Sequence, residues 1–197
     1  MLGKETVDVD RDLIKRVRFG SVFRRFVTNT VFDSTFMLLG VVIGSAFENP
    51  DIRVILTTML TSSLALGIST GVSIYEAESL EQGKRIIELE RALFRSLDET
   101  TIARSAKKTV AVMSLLNCLV PLVSCVITIS PFLLTAYGVI GIRLASWISV
   151  MLALLILFSA GAYLGKLAKR NPWIKGARML VFGIVAFLLG YWIESLI

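Results

Sequence analysis

The chain has 197 residues, of which 55% are hydrophobic, above the roughly 45–50% of an ordinary soluble domain. It carries a net charge of +6 and no histidine, which excludes imidazole metal sites, histidine pH switches and Ser–His hydrolysis. Long apolar stretches alternate with dense charge, so the basic excess flanks membrane spans instead of coating a nucleic-acid face, and no nucleic-acid partner is expected.

Residues 1–25 are charged throughout and do not read as a cleavable signal peptide. From Asp12 to Phe26, the apolar Leu13, Val17, Phe23 and Phe26 stand among Arg and Lys. The pattern predicts a cytoplasmic amphipathic helix lying at the headgroups and leading into the first span.

A helix needs about 20 apolar residues to cross the hydrocarbon layer, and five segments qualify. Residues 26–75 hold the first two, Phe26 to Phe47 and Ile52 to Tyr75, separated by Glu48-Asn49-Pro50-Asp51. Residues 76–108 are rich in Glu and helix formers and contain no proline. They predict a continuation of the second span, a turn near Asp98-Glu99-Thr100 and a short helix into the third, together a cytoplasmic acidic helical hairpin. Residues 109–197 hold the other three spans: Thr109 to Ser130, with Pro121 inside it, Leu144 to Leu164, and Met179 to the C-terminus.

The basic residues orient this all-α, five-span arrangement. Seven Lys/Arg precede the first span, and Arg53 alone follows it. The next connection carries seven (Lys84, Arg85, Arg91, Arg95, Arg104, Lys107, Lys108), the next only Arg143, and the last five (Lys166, Lys169, Arg170, Lys175, Arg178). Because Lys and Arg accumulate on cytoplasmic loops, the N-terminus is expected inside and the C-terminus outside.

Within the spans, Asp33 stands out. It lies eight residues past Arg25, roughly 12 Å into the layer, where an ionisable group usually faces a bundle interior or a hydrated path. Asn29 and Met37 flank it at i−4 and i+4 on the same helical face. A carboxylate, an amide and a thioether in one column suit a divalent cation of intermediate softness; a carboxylate bonded to Ser or Thr of a neighbouring helix is the structural alternative.

Span two carries Thr58, Ser62, Ala65, Ser69 and Ser73 at helical spacing, and span three carries Ser114, Asn117, Pro121, Ser124 and Thr128. Such stripes either pack helices closely or line a path; Ser62, Ser69, Ser114 and Asn117 are the path candidates. Pro121 frees a carbonyl near Asn117. Three Gly-x-x-x-Gly pairs, Gly40/Gly44, Gly67/Gly71 and Gly161/Gly165, allow close helix approach within one chain or between two. Met59, Met113, Cys118 and Cys125 read as core fillers. The two cysteines are seven helical residues apart, roughly 10 Å, too far for a disulfide.

In the 76–108 hairpin, Glu78, Glu81, Glu88 and Glu90 can gather cations at the mouth of a path. They serve equally as a solvated face in which Glu81 pairs with Lys84 or Arg85.

In the order of these features the chain resembles the vacuolar iron transporter family of Fe²⁺/Mn²⁺ carriers. The resembling stretches are Asp33-Ser34-Thr35 followed by Leu39-Gly40-Val41-Val42-Ile43-Gly44, the Glu-rich run from Tyr75 to Arg91, Leu119-Val120-Pro121-Leu122 with Pro131-Phe132-Leu133, and Gly161-Ala162-Tyr163-Leu164-Gly165-Lys166 with Arg178-Met179, Gly183, Ala186 and Tyr191. The chain departs from the family in having Ser34 after the aspartate and Val72 after Gly71, where the family usually has Gly and Glu. Its 76–108 segment is also shorter than the family's metal-binding domain.

The resemblance implies a five-helix homodimer with its ion path at the subunit interface. Asp33 would be the membrane ligand, and Glu78, Glu81, Glu88 and Glu90 the cytoplasmic acidic cluster. The expected activity is export of cytoplasmic Fe²⁺ or Mn²⁺ in exchange for protons, the metal being substrate and not a resident cofactor. An enzyme is not expected. The rival is a non-transporting membrane scaffold whose 76–108 hairpin binds a partner. The expected host is a prokaryotic plasma membrane.

Overall fold

A computed structural model describes the backbone of residues 2–46, 51–94 and 101–196, with side chains described from Val22 onward except at residues 46, 93, 101–103 and 106. Five helices account for nearly all of it: α1 (Leu2–Ala46), α2 (Ile52–Leu93), α3 (Thr101–Ala136), α4 (Ile142–Leu167) and α5 (Pro172–Glu194). Each contains a segment long and apolar enough to cross a membrane, and among the described residues there is no strand. The molecule is an integral membrane protein of five helices. Short connections make successive helices alternate in direction. One end of the bundle therefore carries the N-terminus and the α2–α3 and α4–α5 connections.

Two helices outgrow the bilayer. The 42 residues of α2 extend about 63 Å against a hydrocarbon layer of about 30 Å, so its C-terminal half continues out of the membrane, as the Glu-rich run predicts. Helix α1 is unbroken from Leu2, so the N-terminal segment continues the first span without a hinge between them. The side chains of Leu13 and Val17, and the turn at Asp98-Glu99-Thr100, lie outside the described residues.

Two boundaries differ from expectation. Span three does not end at Ser130; α3 runs through Pro131 to Ala136. Pro131 has no N–H for the carbonyl four residues back, but the Ser130 hydroxyl donates to that Ile127 carbonyl at 2.8 Å. The extra turn seats Phe132 in the core, fully buried. Span five begins at Pro172, seven residues before Met179. Asn171 precedes a proline at the first helical position, a favoured helix start, and the Lys and Arg that resemble loop residues are in fact the first turns of α5.

The core is built around α1, which packs against all four other helices. Leu38, Leu39 and Val42 of α1 meet Ile55 and Met59 of α2, Cys125, Ile129 and Phe132 of α3, and Ala145, Val150, Ala153 and Leu157 of α4. Tight hairpins flank it. Between α2 and α3, a Cβ at Gly67 would stand 2.5 Å from the Cys118 carbonyl oxygen, so only glycine permits that approach. Between α4 and α5, a Cβ at Gly161 would meet the Lys175 carbonyl at 2.9 Å, and one at Gly165 would meet Pro172 Cα at 2.7 Å. Exposed aromatic residues stand near both ends of α5. Exposed Trp173 and Trp192 are 19 residues apart, about 28 Å along the helix, close to the thickness of the hydrocarbon.

Candidate ion-binding face

Buried hydroxyls and amides line the interior of the bundle, and all are neutral: Thr28, Thr30, Ser34, Thr35, Ser63, Asn117, Ser124, Thr128, Ser146 and Ser149. Several satisfy themselves on the preceding helical turn. Thr35 donates to the Val31 carbonyl (2.7 Å), Ser63 to Met59 (2.7 Å) and Thr128 to Ser124 (2.9 Å), the usual way a hydroxyl survives in a membrane helix. Others join helices. Thr30 donates to Asn117 Oδ1 at 3.3 Å, Ser34 to Ser124 Oγ at 3.2 Å and Ser149 to the Thr128 carbonyl at 2.7 Å. Ser114 donates to the Gly71 carbonyl.

These bonds decide between the two polar stripes. The span-three stripe turns inward: Asn117, Pro121, Ser124 and Thr128 are buried and Ser114 half-buried. Asn117 is fully enclosed, its Nδ2 donating to the Met113 carbonyl at 3.0 Å while its Oδ1 accepts from Thr30. The span-two stripe turns outward, with Thr58 and Ser62 half-buried and Ala65, Ser69 and Ser73 exposed. Ser62, Ser69, Ser114 and Asn117 therefore do not line one path inside a single chain. Sequence spacing missed Thr30, Ser34 and Ser149, whose roles depend on which neighbour each meets.

Asp33 lies on the face of α1 that the rest of the described chain leaves uncovered. It is exposed, as is Asn29 one turn before it, and so are Gly40 and Gly44 further along. Among the described residues no hydrogen bond or ion pair engages the Asp33 carboxylate. The alternative of a carboxylate bonded to a neighbouring Ser or Thr is thus not what the chain adopts; Ser34, next in sequence, makes that interior bond instead. Met37 is half-buried and packs against the core, so of the three residues in the column, Asn29 and Asp33 stand open. A Cβ added at Gly40 or Gly44 would meet nothing within 4 Å, whereas the other two glycine pairs are filled by their own chain.

The extramembrane acids are dispersed. Glu81 pairs with Arg85 one turn on, at 3.1 Å, so a cation interrupts the face that Glu78, Glu81 and Glu88 share. Glu78 is half-buried, Glu88 exposed and Glu90 half-buried. Among the described residues no three carboxylate or cysteine ligands converge on one point. Within one chain the expected acidic cluster is a charge-laced helix surface.

No protein-family model matches the chain. It is similar to an uncharacterized protein of Methanocaldococcus jannaschii, 25% identical over 174 residues that cover 87% of this chain and 88% of the archaeal one. The likeness thus covers most of the chain.

Proposed function

We propose that the protein is a divalent-cation transporter, carrying Fe²⁺ or Mn²⁺, and that two copies associate through the outward face of α1. One observation carries the reading: an ionisable side chain at membrane depth stands exposed on an unfilled helix face. A carboxylate facing lipid is costly, by about 2.5–3.5 kcal/mol on insertion scales. The small residues Gly40 and Gly44 beyond it are the type that lets a second helix approach closely. A twofold contact there is self-complementary and brings two Asp33 carboxylates, with Asn29 from each chain, toward one another. Two such carboxylates repel, and either a divalent cation or a proton relieves the repulsion. Metal and proton would then compete, which gives proton-coupled exchange a physical basis.

In this reading the Lys- and Arg-rich end of the bundle is cytoplasmic, by the distribution of basic residues, and the C-terminus is outside. The resemblance to vacuolar iron transporters supports the metal class and export from the cytoplasm. A prokaryotic plasma membrane is the proposed host, in keeping with the archaeal relative. The test is uptake into proteoliposomes loaded with a metal-sensitive dye. Wild type should move Mn²⁺ or Fe²⁺, and Asp33→Ala should lose at least about tenfold in rate, the size expected when a directly bound charge is removed. Equal rates would remove Asp33 from the mechanism.

A scaffold is the second reading, favoured by the extramembrane part of α2. Leu80 is 65% exposed and Phe94 97% exposed, with no metal cluster among the described residues nearby. Calorimetry separates the two readings: a scaffold binds no Mn²⁺ in an Asp33-dependent way.

A further inference from the structure

At the end of the bundle that carries the N-terminus, the cations of α2 stand among acids, as Arg85 does with Glu81. The α4–α5 corner is different. Lys166, Lys169, Arg170, Lys175 and Arg178 fall within thirteen residues that contain no Asp or Glu. None of the five has a carboxylate within ion-pairing distance among the described residues. All are exposed except Lys175, which is half-buried.

This corner is rigid. The connection from Leu167 to Pro172 is short and the helices on each side are locked together. Gly165 lies under Pro172, Gly161 against the Lys175 carbonyl, and Gly176 against the Phe158 ring. Phe158 also meets Trp173, ring centroids 5.9 Å apart, and the Arg178 guanidinium lies 5.9 Å over the Phe182 ring. The backbones bearing the five charges are therefore held in fixed relation before any ligand arrives, which lowers the ordering cost of binding. Its depth is also defined. Trp173 is 74% exposed beside the cations, and its spacing from Trp192 sets it at one hydrocarbon boundary, where indole rings settle among headgroups.

We propose that this corner binds an anionic phospholipid, with the headgroup phosphate among Lys169, Arg170 and Lys175 and the glycerol backbone against Trp173. Charge complementarity selects an anion. The depth of the corner selects a lipid over a soluble phosphate, since the cations sit where headgroups already are. The proposal does not depend on metal transport.

The test uses the full-length protein, delipidated in detergent and titrated with phosphatidylglycerol or phosphatidylcholine, with bound lipid read by native mass spectrometry. Wild type should retain phosphatidylglycerol in preference to phosphatidylcholine. The double variant K169Q/R170Q should bind phosphatidylglycerol roughly 25-fold more weakly, at about fivefold per cation near an anionic surface. It keeps Lys166, Lys175 and Arg178 to hold sidedness. The exposed pair on α3, changed as K107Q/K108Q, should leave binding unaltered. Equal loss in both variants would reduce the effect to overall charge and overturn the proposal. So would indifference to headgroup charge in wild type, or displacement of the lipid by glycerol 3-phosphate at equal concentration. Should K169Q/R170Q fail to purify, Lys175→Gln alone reads the same site, with roughly fivefold weakening expected and no change refuting it.

Discussion

The α4–α5 hairpin and the outward face of α1 use the same small-residue device and leave it in opposite states. Gly161 and Gly165 are in contact with Lys175, Met179 and Pro172 of their own chain, so that pair is consumed by intrachain packing, as Gly67 and Gly71 are against Cys118 and Ser114. Gly40 and Gly44 have the same spacing and nothing against them. The difference does not reflect a helix at the edge of the fold, because α1 packs on all four others. The most enclosed helix keeps one stripe clear of the described residues, and that stripe carries a carboxylate with no partner among them. Small residues in a membrane helix therefore mark close approach without saying to what; the neighbour found in the fold supplies that information.

Filling each glycine pair breaks the comparison most directly. Gly67→Leu drives a side chain into the Cys118 backbone, which cannot rotate aside. The expected loss is roughly 3 kcal/mol, the upper end for overpacking, read as a lower melting temperature and loss of monodisperse protein in detergent. Gly40→Leu meets open space and should change the stability of the single chain by no more than about 0.5 kcal/mol. Its effect should appear in assembly, with a dimeric mass by light scattering becoming monomeric. A Gly40→Leu protein that stays dimeric would detach the open stripe from the proposed contact.

The five spans were legible because hydrophobic length is a one-dimensional quantity that survives any packing. Even so, α5 begins seven residues earlier than its hydropathy suggests, because Lys175 and Arg178 interrupt the apolar run without ending the helix; Asn171-Pro172 was the readable signal. The end of α3 was misjudged at Pro131 for want of the Ser130 bond that tolerates it. The direction of each polar stripe was not legible at all. Ser69 and Asn117 sit on equally regular patterns, and one is exposed while the other is fully buried. Asp33 was legible as an anomaly from its depth alone. That it would be left open by its own chain, while adjacent Ser34 bonds inward, depends on where α3 lies.

The smaller effects sharpen the contrast between the inner and outer sides of α1. Asn117→Ala removes a buried amide that bonds both Thr30 and the Met113 carbonyl. It should cost about 1–2 kcal/mol, toward the largest values measured for interhelical hydrogen bonds in membranes.

Ser34→Ala is subtler. It deletes the 3.2 Å contact with Ser124 and the hydroxyl's 3.0 Å bond to the Val31 carbonyl of its own helix, but the helix backbone and packing volume barely change. A loss of about 0.6 kcal/mol is expected, near the average for such bonds. Ser69→Ala, on the outward stripe, should cost nothing measurable in the isolated chain. The pair of measurements, by unfolding in mixed micelles, tests whether the interior network contributes through specific partners. Equal effects at positions 34 and 69 would mean that hydroxyl content alone matters. The asymmetry between the two sides of α1 would then be geometric without being energetic.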